Sequence, residues 1–263
     1  MSQGTRCGKT QHLSNLYLIR MIRSMPVLIS IEGNIGSGKS TLLKKLREAH
    51  PEWMFVDEPV DSWLKIRNDQ GESLLEVFYK DKQRWSYTFQ NAAVLSRGMM
   101  VKDAVEGWRE QYEDGMNYYI NYNMKKERYA GTDRESEFTD IHNKPSRVII
   151  MERCVETDRN VFAKMLKGSG DLDGIEWTLY EKWYAFISEM IPKMNAFIWV
   201  DTDPETACAR IKTRGREGEE SIPLEYLKSL DAVHQEWLEH PGANVFRSQD
   251  FHEIETFIKS LDV

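Results

Sequence analysis

The stretch Gly33-Asn-Ile-Gly-Ser-Gly-Lys-Ser40 constrains this chain more than any other. It fits G-x-x-x-x-G-K-[ST] and follows the apolar run Pro26-Val-Leu-Ile-Ser-Ile-Glu32. Thr41 to His50 comes next, with Leu42, Leu43 and Leu46 along one side of a helix. Strand, glycine loop, then helix is the context in which this pattern grips phosphates. Glycines let backbone N–H groups converge on phosphate oxygens, and the helix N-terminus adds partial positive charge. In this reading Gly33, Asn34, Ile35, Gly36, Ser37, Gly38, Lys39, Ser40 and Thr41 cradle a nucleoside triphosphate. Lys39 reaches the β- and γ-phosphates, and Ser40 ligates Mg²⁺. The loop does not say what receives the phosphoryl group.

The rest of the chain alternates short apolar runs with helical patterns. Residues 26–32, 53–56, 147–151, 196–200 and 244–246 read as strands. Residues 41–50, 73–97, 158–166, 177–190, 204–212, 223–239 and 251–261 read as helices. Such alternation predicts parallel pairing with right-handed crossovers. The expected fold is therefore α/β, of the P-loop NTPase type. It has three layers, a five-stranded parallel sheet flanked by helices, and an arginine-rich lid. Residues 26–263 are expected to form one domain. Residues 101–147 are acid- and tyrosine-rich and read partly as an insertion, with a helical first part and a solvated loop from Ala130 to Ser146.

Composition excludes several classes. The net charge of −7 speaks against gripping a nucleic-acid duplex, and no apolar run approaches a membrane span. Cys7, Cys154 and Cys208 are too few and too scattered for a disulfide scaffold, which fits a reducing compartment. Residues 1–25 carry Arg6, Lys9, Arg20 and Arg23 and no acid. They read as a disordered extension on a cytoplasmic protein, or alternatively as a mitochondrial transit segment.

Chemistry-bearing residues gather at the predicted carboxyl ends of strands, where open α/β sheets bind ligands. Glu58 follows the second strand, in Asp-Glu-Pro, and suits a general base for a substrate hydroxyl. Glu152 and Arg153 end the third strand. There Glu152 suits a magnesium ligand and Arg153 a contact to the transferred phosphate. Within 73–97, Tyr79, Gln90 and Arg97 share one direction at helical spacing, beside Phe89. Arg210, Arg214 and Arg216 with Gly215 and Gly218 suit a mobile lid over a triphosphate. Taken singly, each has an ordinary alternative as a surface acid, a solvated helix face or a charged loop.

The order of these pieces is more specific than any one of them. Glu-Pro59, Arg-Trp-Ser-Tyr-Thr-Phe-Gln90, Leu-Ser-Arg97, Glu-Arg153, Asp-Arg159 and Arg-x-x-x-Arg-Gly-Arg216 with Ile-Pro-Leu-Glu-Tyr226 follow the loop in turn. Over about residues 26–262 the chain resembles the deoxycytidine/deoxyguanosine kinase family of deoxynucleoside kinases. That resemblance implies ATP- and Mg²⁺-dependent phosphorylation of a deoxyribonucleoside 5′-hydroxyl by a homodimer. It implies catalytic roles for Glu58, Arg153 and Lys39, with Glu152 near the metal. It implies Gln90 on the base edge, Phe89 and Phe162 as a sandwich for the base, and Tyr79 and Glu219 on the sugar 3′-hydroxyl. Trp63, Arg97 and Asp158 complete the substrate pocket, and Gln249, Asp250 and Phe251 the adenine loop. Cys154 stands where the family commonly has serine.

The alternatives are a thymidylate-type nucleoside-monophosphate kinase and a non-catalytic nucleotide-binding protein. The second polar pocket argues against a mere binder, and the few cations near Glu58 argue against a monophosphate acceptor. An Arg97–Asp158 pair would fill the space beside the base's 5-position. The expected substrates are therefore deoxycytidine, deoxyadenosine or deoxyguanosine, with thymidine poor. Trp177, Trp183, Tyr184 and Phe186 on one helix predict the homodimer surface.

Overall fold

A computed structural model describes residues 25–129, 145–216, 219 and 222–262. The basic start and the segment 130–144 lie outside the described residues. Five strands form one parallel sheet: β1 (Val27–Glu32), β2 (Met54–Val56), β3 (Val148–Glu152), β4 (Ala196–Trp199) and β5 (Val245–Arg247). Their order is β2-β3-β1-β4-β5, so the strand leading into the glycine loop is central. Its six residues are all buried, as a strand covered on both faces requires. On one face Val27, Ile29 and Ile31 pack with Leu42, Leu43, Leu46, Ile254 and Ile258. On the other, Leu28 joins a larger core with Phe78, Val94, Val101 and Tyr180.

The helices on the first face are α1 (Lys39–Ala49) and α9 (Phe251–Leu261). Four early helices or helical stretches shape the other side. These are α2 (Val60–Lys65), α3 (Leu74–Lys80), the long α4 (Lys82–Tyr129) and α5 (residues 155–169). The helix expected over 73–97 is broken, and the cause is local. Ser73 Oγ accepts the Glu76 N–H at 3.3 Å while Glu76 Oε2 accepts the Ser73 N–H at 2.6 Å, a capping box that starts α3. Asp81 leaves helical geometry (φ −145°, ψ 84°), and its Oδ1 accepts the Arg84 N–H at 3.1 Å, starting α4 afresh. From there α4 runs unbroken for 48 residues, about 70 Å at 1.5 Å per residue. The first part of the acid-rich stretch is thus the continuation of this helix.

Helix α4 packs along α6 (Gly174–Met190). Gly98 allows the approach: a Cβ there would sit 2.4 Å from Ile187 Cγ2. Helix α5 opens as Val155–Thr157, passes through a π-helical stretch Asp158–Ala163 and closes as Lys164–Ser169. Helices α7 (Pro204–Arg214) and α8 (Leu224–Leu238) complete the fold. Among the described residues no helix is long and apolar enough to cross a membrane.

Candidate active site

The carboxyl edge of the sheet opens onto one cavity. Gly36, Lys39, Glu152 and Arg153 form its wall at β1 and β3, and Glu58 lies opposite, beyond β2. Trp63 comes from α2, Tyr79 from α3, Phe89, Gln90 and Arg97 from α4, and Asp158 and Phe162 from the π-helical stretch. Arg214, Arg216 and Glu219 close the side after α7. Tyr79, Gln90 and Arg97 do meet at one ligand space, although not along one helix. The Asp81 break redirects Tyr79, and the turn between α3 and α4 brings it back.

The loop has the strain its sequence foretells. Gly33, Gly36 and Gly38 hold φ of 139°, 77° and 105°. A Cβ on Gly33 would lie 2.5 Å from the Val200 carbonyl oxygen, and one on Gly36 2.5 Å from that of Ala207. Lys39 is buried, and its Nζ donates to the carbonyls of Gly33 at 3.2 Å and Asn34 at 2.8 Å. Burial, and then the Arg153 charge, bring its ammonium down to about 7. Asn34 Nδ2 donates to Leu227 O at 2.8 Å, fastening the loop to α8. Ile35 packs with Val161 and Ile211, and Arg210 Nη1 donates to Ser37 O at 2.9 Å. Thr41 is exposed on the first turn of α1.

Ser40 Oγ donates to Glu152 Oε1 at 3.1 Å. A hydroxyl and a carboxylate side by side are hard oxygen donors of the kind Mg²⁺ takes, beside waters and substrate phosphates. Among the described residues no cluster of three His, Cys, Asp or Glu could hold a metal alone.

Glu58 is the electrostatic centre. Arg153 Nη1 donates to its Oε1 at 2.7 Å and Arg97 Nη2 at 3.3 Å. Burial pushes the carboxyl up, but the Arg153 and Arg97 guanidiniums outweigh it and hold it below the usual range. Arg97 is itself fixed: Nε donates to Asp158 Oδ2 at 2.9 Å and Nη1 to Glu152 O at 3.0 Å. Arg153 has φ 63°, the left-handed region, and its guanidinium lies 5.0 Å over the Phe162 ring.

The aromatic wall is continuous. Phe89 stacks on Phe78 at 4.4 Å and meets Trp63 edge-on at 5.2 Å. Gln90 is buried, and its Oε1 has no hydrogen-bond partner among the described residues. Glu219 accepts from Arg214, and from Arg216 at 3.2 Å. The last predicted group lies elsewhere: Gln249 donates to Asp201 O, Asp250 caps α9, and Phe251, the first residue of α9, packs against the core. None of the three lines the cavity.

Sequence reasoning passed over Val60, Leu75, Phe78 and Tyr226, which also line it. As apolar or aromatic residues at helical spacing they carry no signal that separates lining from core. It also passed over Glu32, whose signal was legible: a carboxylate ending an otherwise apolar buried strand.

A parallel sheet with a phosphate loop after its central strand defines the P-loop α/β class of nucleotide-binding proteins. Comparison with known proteins narrows this. The profile of the family described as "Deoxynucleoside kinase" matches residues 29–261. "Deoxycytidine kinase 1" of Xenopus laevis is 32% identical over 227 residues, 81% of this chain and 74% of that protein. "Deoxycytidine kinase" of Homo sapiens is 32% identical over 227 residues, 81% and 75%. "Deoxyguanosine kinase, mitochondrial" of Xenopus laevis is 30% identical over 224 residues, 80% and 72%. The chain belongs to the deoxynucleoside kinase family and is an enzyme of that class.

Proposed function

We propose that the enzyme transfers the γ-phosphoryl group of ATP to the 5′-hydroxyl of deoxycytidine, deoxyadenosine or deoxyguanosine, and uses thymidine poorly. One observation carries this reading. A single cavity joins the loop lysine Lys39 to a carboxylate, Glu58, and to the polar and aromatic residues Gln90, Arg97 and Phe89. Glu58 accepts the proton of the 5′-hydroxyl as that oxygen attacks phosphorus. Arg153 keeps Glu58 ionised and moves its guanidinium toward the charge that develops on the transferred group. Lys39 leaves the loop carbonyls for the phosphates. Ser40 and Glu152 would hold Mg²⁺, which when bound would supply charge neutralisation to the transferring group. Gln90 reads the base edge between Phe89 and Phe162, and Tyr79 and Glu219 take the 3′-hydroxyl.

Arg210, Arg214 and Arg216 form the lid. Glu219 pairs with both Arg214 and Arg216, so engagement of Glu219 by the sugar would loosen its hold on two guanidiniums that can then turn to the phosphates. Gln249, Asp250 and Phe251 border the adenine from beyond β5. We place the working enzyme as a homodimer in the cytoplasm. The dimer joins through α4 and α6, where Met99, Ile175, Trp183 and Phe186 are each more than half exposed; of the four rings expected there, Trp177 and Tyr184 instead pack against the core.

The test is a coupled assay with ATP and each deoxynucleoside, run beside the matching monophosphates. Product formation with deoxycytidine, deoxyadenosine or deoxyguanosine is expected. Turnover of monophosphates alone would overturn the reading.

A further inference from the structure

One buried acid serves none of the steps above. Glu32 ends β1, immediately ahead of the phosphate loop, and is wholly buried. Its Oε1 accepts three bonds: from Ser30 Oγ at 2.5 Å, Thr157 Oγ1 at 2.7 Å and Cys154 Sγ at 3.4 Å. Its Oε2 has no hydrogen-bond partner among the described residues. Burying a carboxyl is costly, so a strand that needed only packing would carry an aliphatic residue here.

What the carboxyl holds is the turn after β3. Arg153 sits at φ 63°, the one non-glycine residue at positive φ among those described. Such a conformation is strained and persists only where the surroundings over-determine it. Here the end of β1 supplies them. Before Glu32, the Ile31 carbonyl accepts the Arg153 N–H at 3.1 Å. After Arg153, the Cys154 N–H donates to Thr157 Oγ1 at 3.1 Å, and that hydroxyl donates to Glu32. Two consecutive residues of β1 thus grip both sides of the strained position. Its side chain reaches Glu58 at 2.7 Å and the Gly33 carbonyl at 3.3 Å.

We infer that Glu32 is a positioning residue for phosphoryl transfer: through Thr157 and Cys154 its carboxyl locks the turn that aims Arg153 at Glu58. The inference rests on the roles proposed above for Arg153 and Glu58. It separates from general structural support in one respect. The Gln side chain keeps an oxygen to accept the same donors, whereas Ala removes the acceptor altogether.

The experiment compares Glu32→Ala, Glu32→Gln and Thr157→Val with wild type, with rates normalised to folded protein. Two readouts are taken: amide exchange over residues 153–157, and kcat and KM for ATP and the nucleoside. In Glu32→Ala, exchange over 153–157 should quicken and kcat should fall about tenfold or more, a loss of about 1.4 kcal/mol in transition-state stabilisation. Both KM values should stay within about threefold, since the locked turn acts in the transition state. Glu32→Gln should recover most of kcat. Thr157→Val should reproduce the loss and serves in place of Glu32→Ala if that variant does not fold. In an active wild type, unchanged exchange in these variants, or a loss confined to KM, would overturn the role of Glu32. A wild type inactive on every deoxynucleoside would overturn the functional reading on which it stands.

Discussion

Glu58 touches two guanidiniums, so any substitution there acts on three side chains at once. Removing the carboxyl outright leaves Arg153 and Arg97 buried without it, a penalty of about 3–5 kcal/mol for a broken buried pair. Glu58→Gln is therefore the cleaner probe. It should lower kcat by about 10²–10⁴-fold, the usual worth of general-base assistance, with ATP affinity nearly unchanged; steady-state kinetics beside ATP titration checks both. The base pocket gives a second expectation. Arg97 and Asp158 pair at 2.9 Å while both line the cavity. Arg97→Met combined with Asp158→Ala should raise kcat/KM for thymidine and lower it for deoxycytidine; the four-nucleoside panel decides it, and a double mutant without thymidine gain would refute the steric argument. At this scale the sequence was informative where chemistry is rare. A glutamate before proline at a strand end, or Glu-Arg closing another, stands out from its neighbours. Phe78 does not, because a ring that lines a pocket and a ring that fills a core obey the same helical spacing.

Elements were harder to read than residues. The central strands β1, β3 and β4 were legible because a parallel strand covered on both faces must be apolar. The helix over 73–97 was not, because its break lies in caps rather than in composition: Ser73 with Glu76, then Asp81 with Arg84. The π-helical stretch in α5 has no compositional mark at all, yet it presents Asp158 and Phe162 to the ligand space. Two element-scale expectations follow from packing. In α8, His234 is buried; its Nδ1 bonds Leu230 O at 2.7 Å and its Nε2 has no hydrogen-bond partner among the described residues. Burial therefore pulls its pKa down to about 3. The unfolded chain takes a proton below about 6.5 and the native one does not. Stability should thus fall as pH drops from about 6.5 toward 3, by up to about 1.4 kcal/mol per pH unit from this group. Urea unfolding at pH 7, 6 and 5 should show a shallower decline in His234→Met. Between α4 and α6, Gly98→Val would drive a side chain into Ile187. It should cost about 1–3 kcal/mol by overpacking, read as a lowered unfolding midpoint.

At the scale of the whole molecule α4 and α6 pack together and leave Leu95, Met99, Trp183 and Phe186 exposed, the face proposed for the dimer. Changing Trp183 and Phe186 together to Glu should convert a dimer of about twice 30.8 kDa to the monomer mass in light scattering. A wild type already at the monomer mass would refute the dimer. The same helix that offers Leu95 and Met99 to that face turns Ala93 and Arg97 toward the base. A single residue separates each inner position from an outer one, and no break lies between them. A rigid rod cannot move one side without the other. In the proposed homodimer, a base settling against Arg97 would press on the same rod that meets the second copy, and the two ligand spaces would be ends of a single beam. Such a dimer should couple the two sites, and a nucleoside saturation curve that departs from a simple hyperbola is the expected sign of it.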